Sequence, residues 1–149
     1  MKTGIAILVV SESSLQLSLT IAKHLPGSNL YSSFESIFTD TIPSIATFLK
    51  EHFNRFEAFV FVGSLGICVR SIAPFITDKH TDPAIVNIDS TGKYIISVLS
   101  GHIGGANSLT KQIARITGGQ AVITTQSDNT DLWALDTLGK TYQWKETVH

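Results

Sequence analysis

Apolar runs separated by amphipathic stretches predict strands and helices in alternation along this chain. Short runs rich in Ile, Val and aromatic residues are typical of strands covered on both faces of a sheet. The predicted strands are Ile5–Val10, Leu30–Tyr31, Ala58–Val62, Ile85–Ile88, Tyr94–Val98 and Ala121–Thr124.

Apolar residues at helical spacing predict a helix after most of these strands. Ser11 or Ser13 is predicted to cap the first helix, and Thr41 the second, which has Pro43 in its first turn. The predicted helices are the stripe Leu15, Leu19, Ala22 and Leu25, then Ile42–Phe53, Ile67–Ala73, the stripe Leu109, Ile113 and Ile116 ended by Gly118-Gly119, and a last one from near Leu132 with Leu135, Leu138 and Tyr142.

This alternation predicts an α/β fold: a three-layer αβα sandwich with a mostly parallel sheet. The short turn Asp89–Gly92 between two strands predicts one antiparallel hairpin. The polar segment Ser32–Thr41 is expected to be irregular, with Phe34 and Phe38 fixing it to the core. The stretch Ile76–Pro83 is expected to be an exposed loop.

Composition narrows the class of protein. The chain has 149 residues, twelve acidic and eleven basic, so we expect one domain over residues 1–149, with no nucleic acid or membrane as partner. No apolar run approaches the roughly 18 residues of a membrane span, which favours a cytoplasmic protein. The single cysteine, Cys68, excludes a disulfide framework within the chain, and its apolar neighbours favour a buried side chain over a nucleophile.

Polar loops follow several predicted strands. In parallel α/β sheets, ligands bind beyond the carboxyl ends of the strands. We therefore expect four loops to meet in one cleft: Ser11–Ser14, Gly63–Gly66, Ser100–Asn107 and Thr124–Asp128.

The loop from Gly63 through Ser64 to Gly66 lies between a strand and a helix. Its glycines permit a tight turn, and the helix N-terminus offers free N–H groups to a carboxylate or phosphate. Arg70, one turn further, is expected to add a charged contact. A plain turn with a surface arginine is the structural alternative. Fingerprints of dinucleotide and phosphate-loop proteins are incomplete here, which makes a nucleotide-binding domain a weak third candidate.

The Gly-rich loop, residues 100–107, is the more specific signal. It holds Ser100, Gly101, His102, Gly104, Gly105 and Asn107. His102 is a candidate general base or acid, because imidazole titrates near neutral pH, and Ser100 is a candidate to orient it or to bind substrate. A solvent-facing histidine with Asn107 as a helix cap is the structural alternative. A serine hydrolase is disfavoured, because the Gly-x-Ser-x-Gly elbow is absent.

Two further groups of polar residues are candidates for the same cleft. Lys79 and His80 are suited to an anionic substrate, although a solvated loop explains them equally well. Thr124, Thr125 and Asp128 follow the last predicted strand. A metal site from His80, Asp82 and His102 is conceivable, but no ligand spacing supports it, so no metal is predicted.

The motifs taken together resemble those of a known family. They are Phe61–Pro74, which reads FVGSLGICVRSIAP, then Asp78-Lys79, Thr81–Ala84, Ser97–Asn107, which reads SVLSGHIGGAN, and Thr124-Thr125 with Asp128. This order resembles the N-terminal and middle regions of the cobalamin-biosynthesis protein CbiG. The similarity extends over nearly the whole chain.

This resemblance implies a function. The family is the cobalt-precorrin-5A hydrolase of anaerobic vitamin B12 synthesis, which opens the δ-lactone of a cobalt-corrinoid and releases acetaldehyde. The substrate carries its own cobalt, so no further cofactor is expected. Lactone opening needs a base and oxyanion stabilisation; His102 suits the first by residue type, and backbone N–H groups at Gly104-Gly105 or Gly63–Gly66 suit the second.

The chain departs from the family in length, because family members usually carry a further C-terminal domain for which it has no room. A C-terminal CbiG-type domain or other cobalamin-pathway enzymes are therefore expected as partners, and a homodimer is left open. A corrinoid-binding module that needs the missing domain for catalysis is the main alternative to a catalytic domain.

Overall fold

Seven strands form one sheet in the computed structural model, which describes residues 2–125. They lie in the order β3-β2-β1-β4-β5-β6-β7. Strands β1 to β5 are mutually parallel, β6 is antiparallel to β5, and β7 is parallel to β6. The strands are β1 Ile5–Val9, β2 Ser28–Ser32, β3 Asp40–Thr41, β4 Ala58–Val62, β5 Ala84–Ile88, β6 Tyr94–Leu99 and β7 Gln120–Val122.

Helices cover both faces of this sheet. They are α1 Leu15–Lys23, α2 Ile45–His52, α3 Leu65–Ile72 and α4 Ala106–Thr117. Helices α1 and α4 pack on one face through Ile21 and Ile113, and α2 and α3 pack on the other through Leu49 and Ile72. The predicted αβα sandwich with a mostly parallel sheet and one antiparallel hairpin is therefore confirmed.

The central strands explain why their sequences are continuously apolar. On β4, Val60 and Val62 face the layer of α1 and α4, whereas Phe59 and Phe61 face the layer of α2 and α3. All four side chains are fully buried. Each such burial stabilises the fold by about 1.5–3 kcal/mol, so both layers depend on these strands.

Three predicted helix starts are wrong. The third helix begins at Leu65, not Ile67, because Ser64 is its N-cap. The second helix begins at Ile45, not Ile42, because Ser44 is its N-cap and accepts a hydrogen bond from the Thr47 amide at 3.0 Å. Neither Ser11 nor Ser13 caps the first helix: a turn of 3-10 helix over Glu12–Ser14 precedes α1, and the two serine hydroxyls bond each other at 2.9 Å.

The segment between β2 and α2 also differs from its prediction. Asp40–Thr41 pairs with β2, in a strand too short for its side-chain pattern to reveal it. Phe34 packs against the core as expected, but Phe38 is 56% exposed and does not. The loop at 76–83 is exposed except at its end, where Asp82 and Pro83 are buried.

The predicted last helix near Leu132 lies outside the described residues. Within residues 2–125, no helix is both long enough and apolar enough to cross a lipid bilayer.

Candidate functional site

Reversal of the chain at the β5–β6 hairpin divides the polar loops between two edges of the sheet. We call the edge where β1 to β5 end the carboxyl edge, and the edge where they begin the amino edge. Because β6 runs against β5, with Leu99 paired to Ile85, its end lies at the amino edge, and β7 follows the direction of β6. The expected meeting of four loops is therefore wrong: Ser11–Ser14 and Gly63–Gly66 lie at the carboxyl edge, and the Gly-rich loop and Thr124-Thr125 lie at the opposite one.

The carboxyl edge holds an ordinary strand-to-helix turn after β4. Ser64 is the N-cap of α3 and accepts from the Ile67 amide at 3.4 Å. A side chain at Gly63 would meet the Cβ of Val10 at 2.9 Å, so this glycine permits close packing of the neighbouring loop. Gly66 lies exposed in the first turn, and Arg70 is exposed in the last turn of α3. Arg70 is therefore separated from the helix N-terminus that it was expected to assist.

The amino edge contains a cleft with a volume of about 730 Å³. Four segments form it: the start of the chain before β1, the loop before β4, the loop before β5 and the Gly-rich loop before α4. Its lining residues are Lys2, Ile5, Glu57, Ala58, His80, Thr81, Asp82, Pro83, Ala84, Ile103, Gly104, Gly105, Ser108, Leu109 and Gln112.

This cleft combines apolar and charged walls. Ala58, Ala84 and Leu109 are buried and form an apolar floor. Lys2 and Glu57 bring opposite charges to the lining, and the Lys2 ammonium donates a hydrogen bond to the Thr81 carbonyl. The arrangement suits a ligand that has both apolar surface and ionised groups.

Backbone geometry in the Gly-rich loop brings its two ends together. Ser100 has a φ of +58°, which places it in the left-handed region, and its carbonyl accepts from the Ala106 amide at 3.2 Å. Gly104 packs against this serine, since a Cβ at Gly104 would lie 2.5 Å from the Ser100 Cβ. Gly105 has a φ of +92°, which glycine adopts at little cost, and it is the N-cap of α4.

Asn107 fixes this loop to its surroundings. It is 4% exposed; its side-chain oxygen accepts from Ser97 Oγ at 2.7 Å, and its side-chain nitrogen donates to Thr125 Oγ1 at 2.7 Å. Its backbone amide donates to the Gly101 carbonyl at 2.9 Å. These contacts join β6, the loop, α4 and the segment after β7, so the amide is engaged within the protein.

Backbone N–H groups remain available at the start of α4. Within residues 2–125, no hydrogen-bond acceptor is recorded for the amides of Gly104 and Gly105, and both residues line the cleft. The positive end of the α4 dipole adds to their attraction for an anion. This is the more favourable of the two predicted oxyanion positions, because it borders a cavity.

The predicted polar side chains have different positions around the cleft. His80 lines it, and Lys79 is exposed beside His80. His102 is exposed at the tip of the Gly-rich loop, where its neighbour Ile103 lines the cleft and is 62% exposed. Thr124 is exposed, and Asp128 lies outside the described residues.

Several lining residues had not been recognised in the sequence. Lys2 and Glu57 lie just before β1 and β4, at strand starts where no ligand was expected. Ile103 is a large apolar residue within a loop of small and polar ones, and this contrast was a usable signal. Lys2 and Glu57 could have been predicted only from the reversal of chain direction at the hairpin, which brings the Gly-rich loop to their edge of the sheet.

The side chains of Asp82 and Cys68 are poorly available to a ligand, the first because it is hydrogen-bonded and the second because it is buried. The carboxylate of Asp82 accepts hydrogen bonds from its own loop, and no group of three or more metal-ligating side chains is found in the part of the chain that the structure describes. Burial raises the pKa of the Cys68 thiol to about 12, which leaves it protonated and weakly nucleophilic.

Comparison with known proteins gives consistent matches. The chain is 48% identical over 89 residues to a cobalt-precorrin-5A hydrolase of Salmonella typhimurium, covering 60% of this chain and 25% of that protein. It is 46% identical over 101 residues to a cobalt-precorrin-5A hydrolase of Priestia megaterium, covering 68% of this chain and 27% of that protein. The chain thus spans about a quarter of the length of these relatives.

A solved structure shares the fold. It is described as a cobalamin biosynthesis protein G homologue from Sulfolobus solfataricus, with a TM-score of 0.66 and 27% identity over 81% of this chain and 36% of that chain. The family model for cobalamin synthesis G, N-terminal, matches residues 47–128, a segment that begins in α2 and includes β4, β5, β6 and α4. Because this match covers more than half of the present chain, the chain belongs to the cobalamin synthesis G N-terminal family.

Proposed function

We propose that this chain acts in the hydrolysis of cobalt-precorrin-5A, opening the δ-lactone of the corrinoid with release of acetaldehyde. One observation carries the proposal: the cleft at the amino edge is built almost entirely from the segment that matches the family. Of its lining residues, only Lys2 and Ile5 lie outside residues 47–128. The matched relatives bear the name of this hydrolase.

The cleft suits such a substrate chemically. A cobalt-corrinoid presents a broad apolar ring with carboxylates at its periphery. The floor of Ala58, Ala84 and Leu109 would contact the ring, and Lys2 and His80 would approach the carboxylates. Ile103 projects from the loop tip and would cover a further part of the ring.

The reaction assigns roles to the Gly-rich loop. His102 would take a proton from water as its oxygen bonds to the lactone carbonyl carbon, and the amides of Gly104 and Gly105 would stabilise the resulting oxyanion. Collapse of this intermediate breaks the ring C–O bond and leaves a carboxylic acid and an alkoxide, while the imidazolium of His102 holds the proton taken from water. The alkoxide forms the aldehyde as its carbon–carbon bond to the macrocycle breaks, and the electron pair of that bond passes to the macrocycle.

Ser100 has a supporting role in this scheme. Its hydroxyl donates to the Asp82 carbonyl at 3.1 Å, and this bond commits its proton. It would shape the loop that presents His102 rather than attack the substrate. We expect no cofactor besides the cobalt that the substrate carries, and we expect the reaction to take place in the cytoplasm.

Acetaldehyde release is the direct test. The purified 149-residue chain is incubated with cobalt-precorrin-5A, acetaldehyde is trapped and quantified, and corrinoid binding is followed by its absorption spectrum. Acetaldehyde formed in proportion to protein and time supports the hydrolase. Corrinoid binding without acetaldehyde supports the alternative, a binding module whose partner domain supplies catalysis, and absence of both excludes the two.

A further inference from the structure

The carboxylate of Asp82 organises the loop before β5. Asp82 is 4% exposed, and its two carboxylate oxygens accept from the Thr77 amide at 3.0 Å, the Thr77 hydroxyl at 3.0 Å and the Asp78 amide at 3.2 Å. The Asp82 amide donates in turn to the Asp78 carbonyl at 2.8 Å. Residues 77–82 therefore close on this one side chain, with His80 at the turn.

The backbone of Asp82 also holds the Gly-rich loop. The Asp82 carbonyl accepts a hydrogen bond from Ser100 Oγ. Ser100 has a left-handed backbone conformation, and its carbonyl accepts from the Ala106 amide. The loop that carries His80 and the loop that carries His102 are thus tied at one buried residue. Hydrogen bonds to a carboxylate are about twice as strong as those between neutral groups, which favours the closed form of residues 77–82. The link from this loop to the Gly-rich loop is the bond to the Asp82 carbonyl.

Asp82 is poorly suited to react with a substrate itself. Asp82 lines the cleft, but its carboxylate already accepts from three donors of its own loop. An apolar side chain in its place would leave two N–H groups and a hydroxyl without their acceptors. The chemistry of the position is therefore that of a support for other groups.

We propose that Asp82 is a positioning residue that holds the two loops of the cleft in fixed relation, so that His102 and the amides of Gly104 and Gly105 meet the substrate in a preformed arrangement. This role in the reaction rests on the proposed hydrolase function. The structural part, that Asp82 orders one loop through its carboxylate and holds the other through its carbonyl, does not depend on it.

Asp82→Asn is the variant that tests this, with Asp89→Asn as its matched control. The asparagine keeps the volume but turns an NH2 group toward N–H donors. Asp89 has the same chemistry in the hairpin at the carboxyl edge, where its carboxylate accepts from the amides of Thr91 and Tyr94. The control therefore loses comparable hydrogen bonds away from the cleft.

Amide hydrogen exchange gives the first readout. We expect Asp82→Asn to raise exchange at least tenfold in both residues 77–80 and residues 100–107, and Asp89→Asn to leave both segments unchanged. Ser100→Ala, which breaks only the link between the loops, should raise exchange in residues 100–107 alone. It serves as the deciding variant if Asp82→Asn does not fold.

Kinetics give the second readout. A misplaced reactive group costs on the order of 100-fold in rate, so kcat for acetaldehyde release should fall by about 10- to 100-fold in Asp82→Asn with a smaller change in KM. Thr77→Ser, which keeps the hydroxyl donor, should retain kcat, whereas Asp89→Asn should change it less than twofold.

Each outcome decides the proposal. The coupling of the loops is overturned if Asp82→Asn raises amide exchange only in residues 77–82. It is also overturned if Ser100→Ala leaves amide exchange in residues 100–107 unchanged. A kcat for Asp82→Asn equal to that of Asp89→Asn overturns the positioning role. Absence of acetaldehyde from the unmodified chain contradicts the hydrolase, and the exchange results still decide whether Asp82 orders both loops.

Discussion

His102 and Cys68 both have side chains capable of catalysis, and their local surroundings decide which of them is available to a substrate. His102 is exposed at the tip of a loop beside a cleft, whereas Cys68 is fully buried on the inner face of α3. Residue type alone made both candidates for chemistry. Exposure favours a catalytic role for His102, and burial disfavours one for Cys68.

Removing the imidazole should show whether His102 is the base. We expect His102→Ala to lower kcat for acetaldehyde release by about 100-fold or more, the usual loss for a general base. His24→Ala is the control, because His24 is exposed on the surface after α1 and its imidazole bonds the Thr20 carbonyl, away from the cleft. A His102→Ala turnover close to that of His24→Ala would remove the histidine from the mechanism.

Cys68 should be inert in the folded protein and reactive once unfolded. Burial raises the pKa of its thiol to about 12, above the unfolded value of about 8.5. The folded state thus keeps a proton that the unfolded state loses, and stability should decline as pH rises above about 8.5. A thiol reagent at about pH 8 should label the chain only in denaturant, and Cys68→Ala should flatten the alkaline decline. Rapid labelling of native protein would contradict this.

At the scale of elements, the two edges use turns of different tightness. The Gly-rich loop before α4 folds back on Ser100, whereas the first turn of α3 is open around Gly66. The hairpin turn at the carboxyl edge depends instead on the carboxylate of Asp89. These differences predict opposite responses to matched substitutions.

Gly104→Ala and Gly66→Ala should shift stability in opposite directions. The new Cβ at position 104 would lie 2.5 Å from the Ser100 Cβ and 2.8 Å from its carbonyl oxygen, so the loop must move, at a cost of about 1–3 kcal/mol. At Gly66 nothing lies within 4 Å, and alanine should stabilise α3 by about 0.5–1 kcal/mol. Urea unfolding followed by circular dichroism measures both; a Gly104→Ala variant as stable as the unmodified chain would disprove the tight packing.

The hairpin turn should carry part of the acid sensitivity of the fold. Burial acts to raise the pKa of Asp89, but hydrogen bonds from the Thr91 hydroxyl and from the amides of Tyr94, Thr91 and Lys93 outweigh it and hold this pKa below its ordinary value. The stabilisation is therefore present above the unfolded pKa of about 3.9 and is lost as pH falls through the folded one.

Asp89→Asn tests this dependence. The variant should be less stable than the unmodified chain near pH 7, and the difference should shrink as pH falls below the unfolded pKa of about 3.9 and through the lower pKa of the folded state. Ser90→Ala, a change at an exposed neighbour, is the control. A stability difference that does not change with pH would show that the charge of Asp89 contributes nothing.

At the scale of the whole molecule, strand order and loop position point to different edges. The strand order reverses between β1 and β4, and in open α/β sheets such a switch point at the carboxyl edge is the usual ligand site. The cleft described above is at the amino edge, where the reversed strands β6 and β7 deliver their loops. Ligand binding should distinguish the two.

His80→Ala should weaken corrinoid binding and Ser64→Ala should not. His80 lines the cleft, and loss of a solvent-exposed contact to a carboxylate should raise Kd by about fivefold or less. Ser64 caps α3 at the far edge, so its loss should lower stability without changing Kd. Spectroscopic titration measures both; a Kd raised by Ser64→Ala alone would place the corrinoid at the carboxyl edge.

The sequence by itself determined the layers of this protein and the identity of its polar loops. Continuous apolar runs require strands with helices on both faces, and the spacing of Ile85–Ile88, Asp89–Gly92 and Tyr94–Val98 predicted the hairpin. Those patterns are local, because burial on one face or two imposes its own period on the chain. The ordered motifs also indicated the family.

Only the tertiary structure decided which loops share a cleft. The direction of β6 depends on pairing with β5 across the hairpin, and that reversal carries Ser100–Gly105 away from Gly63–Gly66 to the starts of β1, β4 and β5. The role of Asp82 is likewise invisible in the sequence, since Thr77 is a near neighbour in the chain but Ser100 is eighteen positions away. Contacts between distant segments are set by packing of the whole sheet, and no local pattern encodes them.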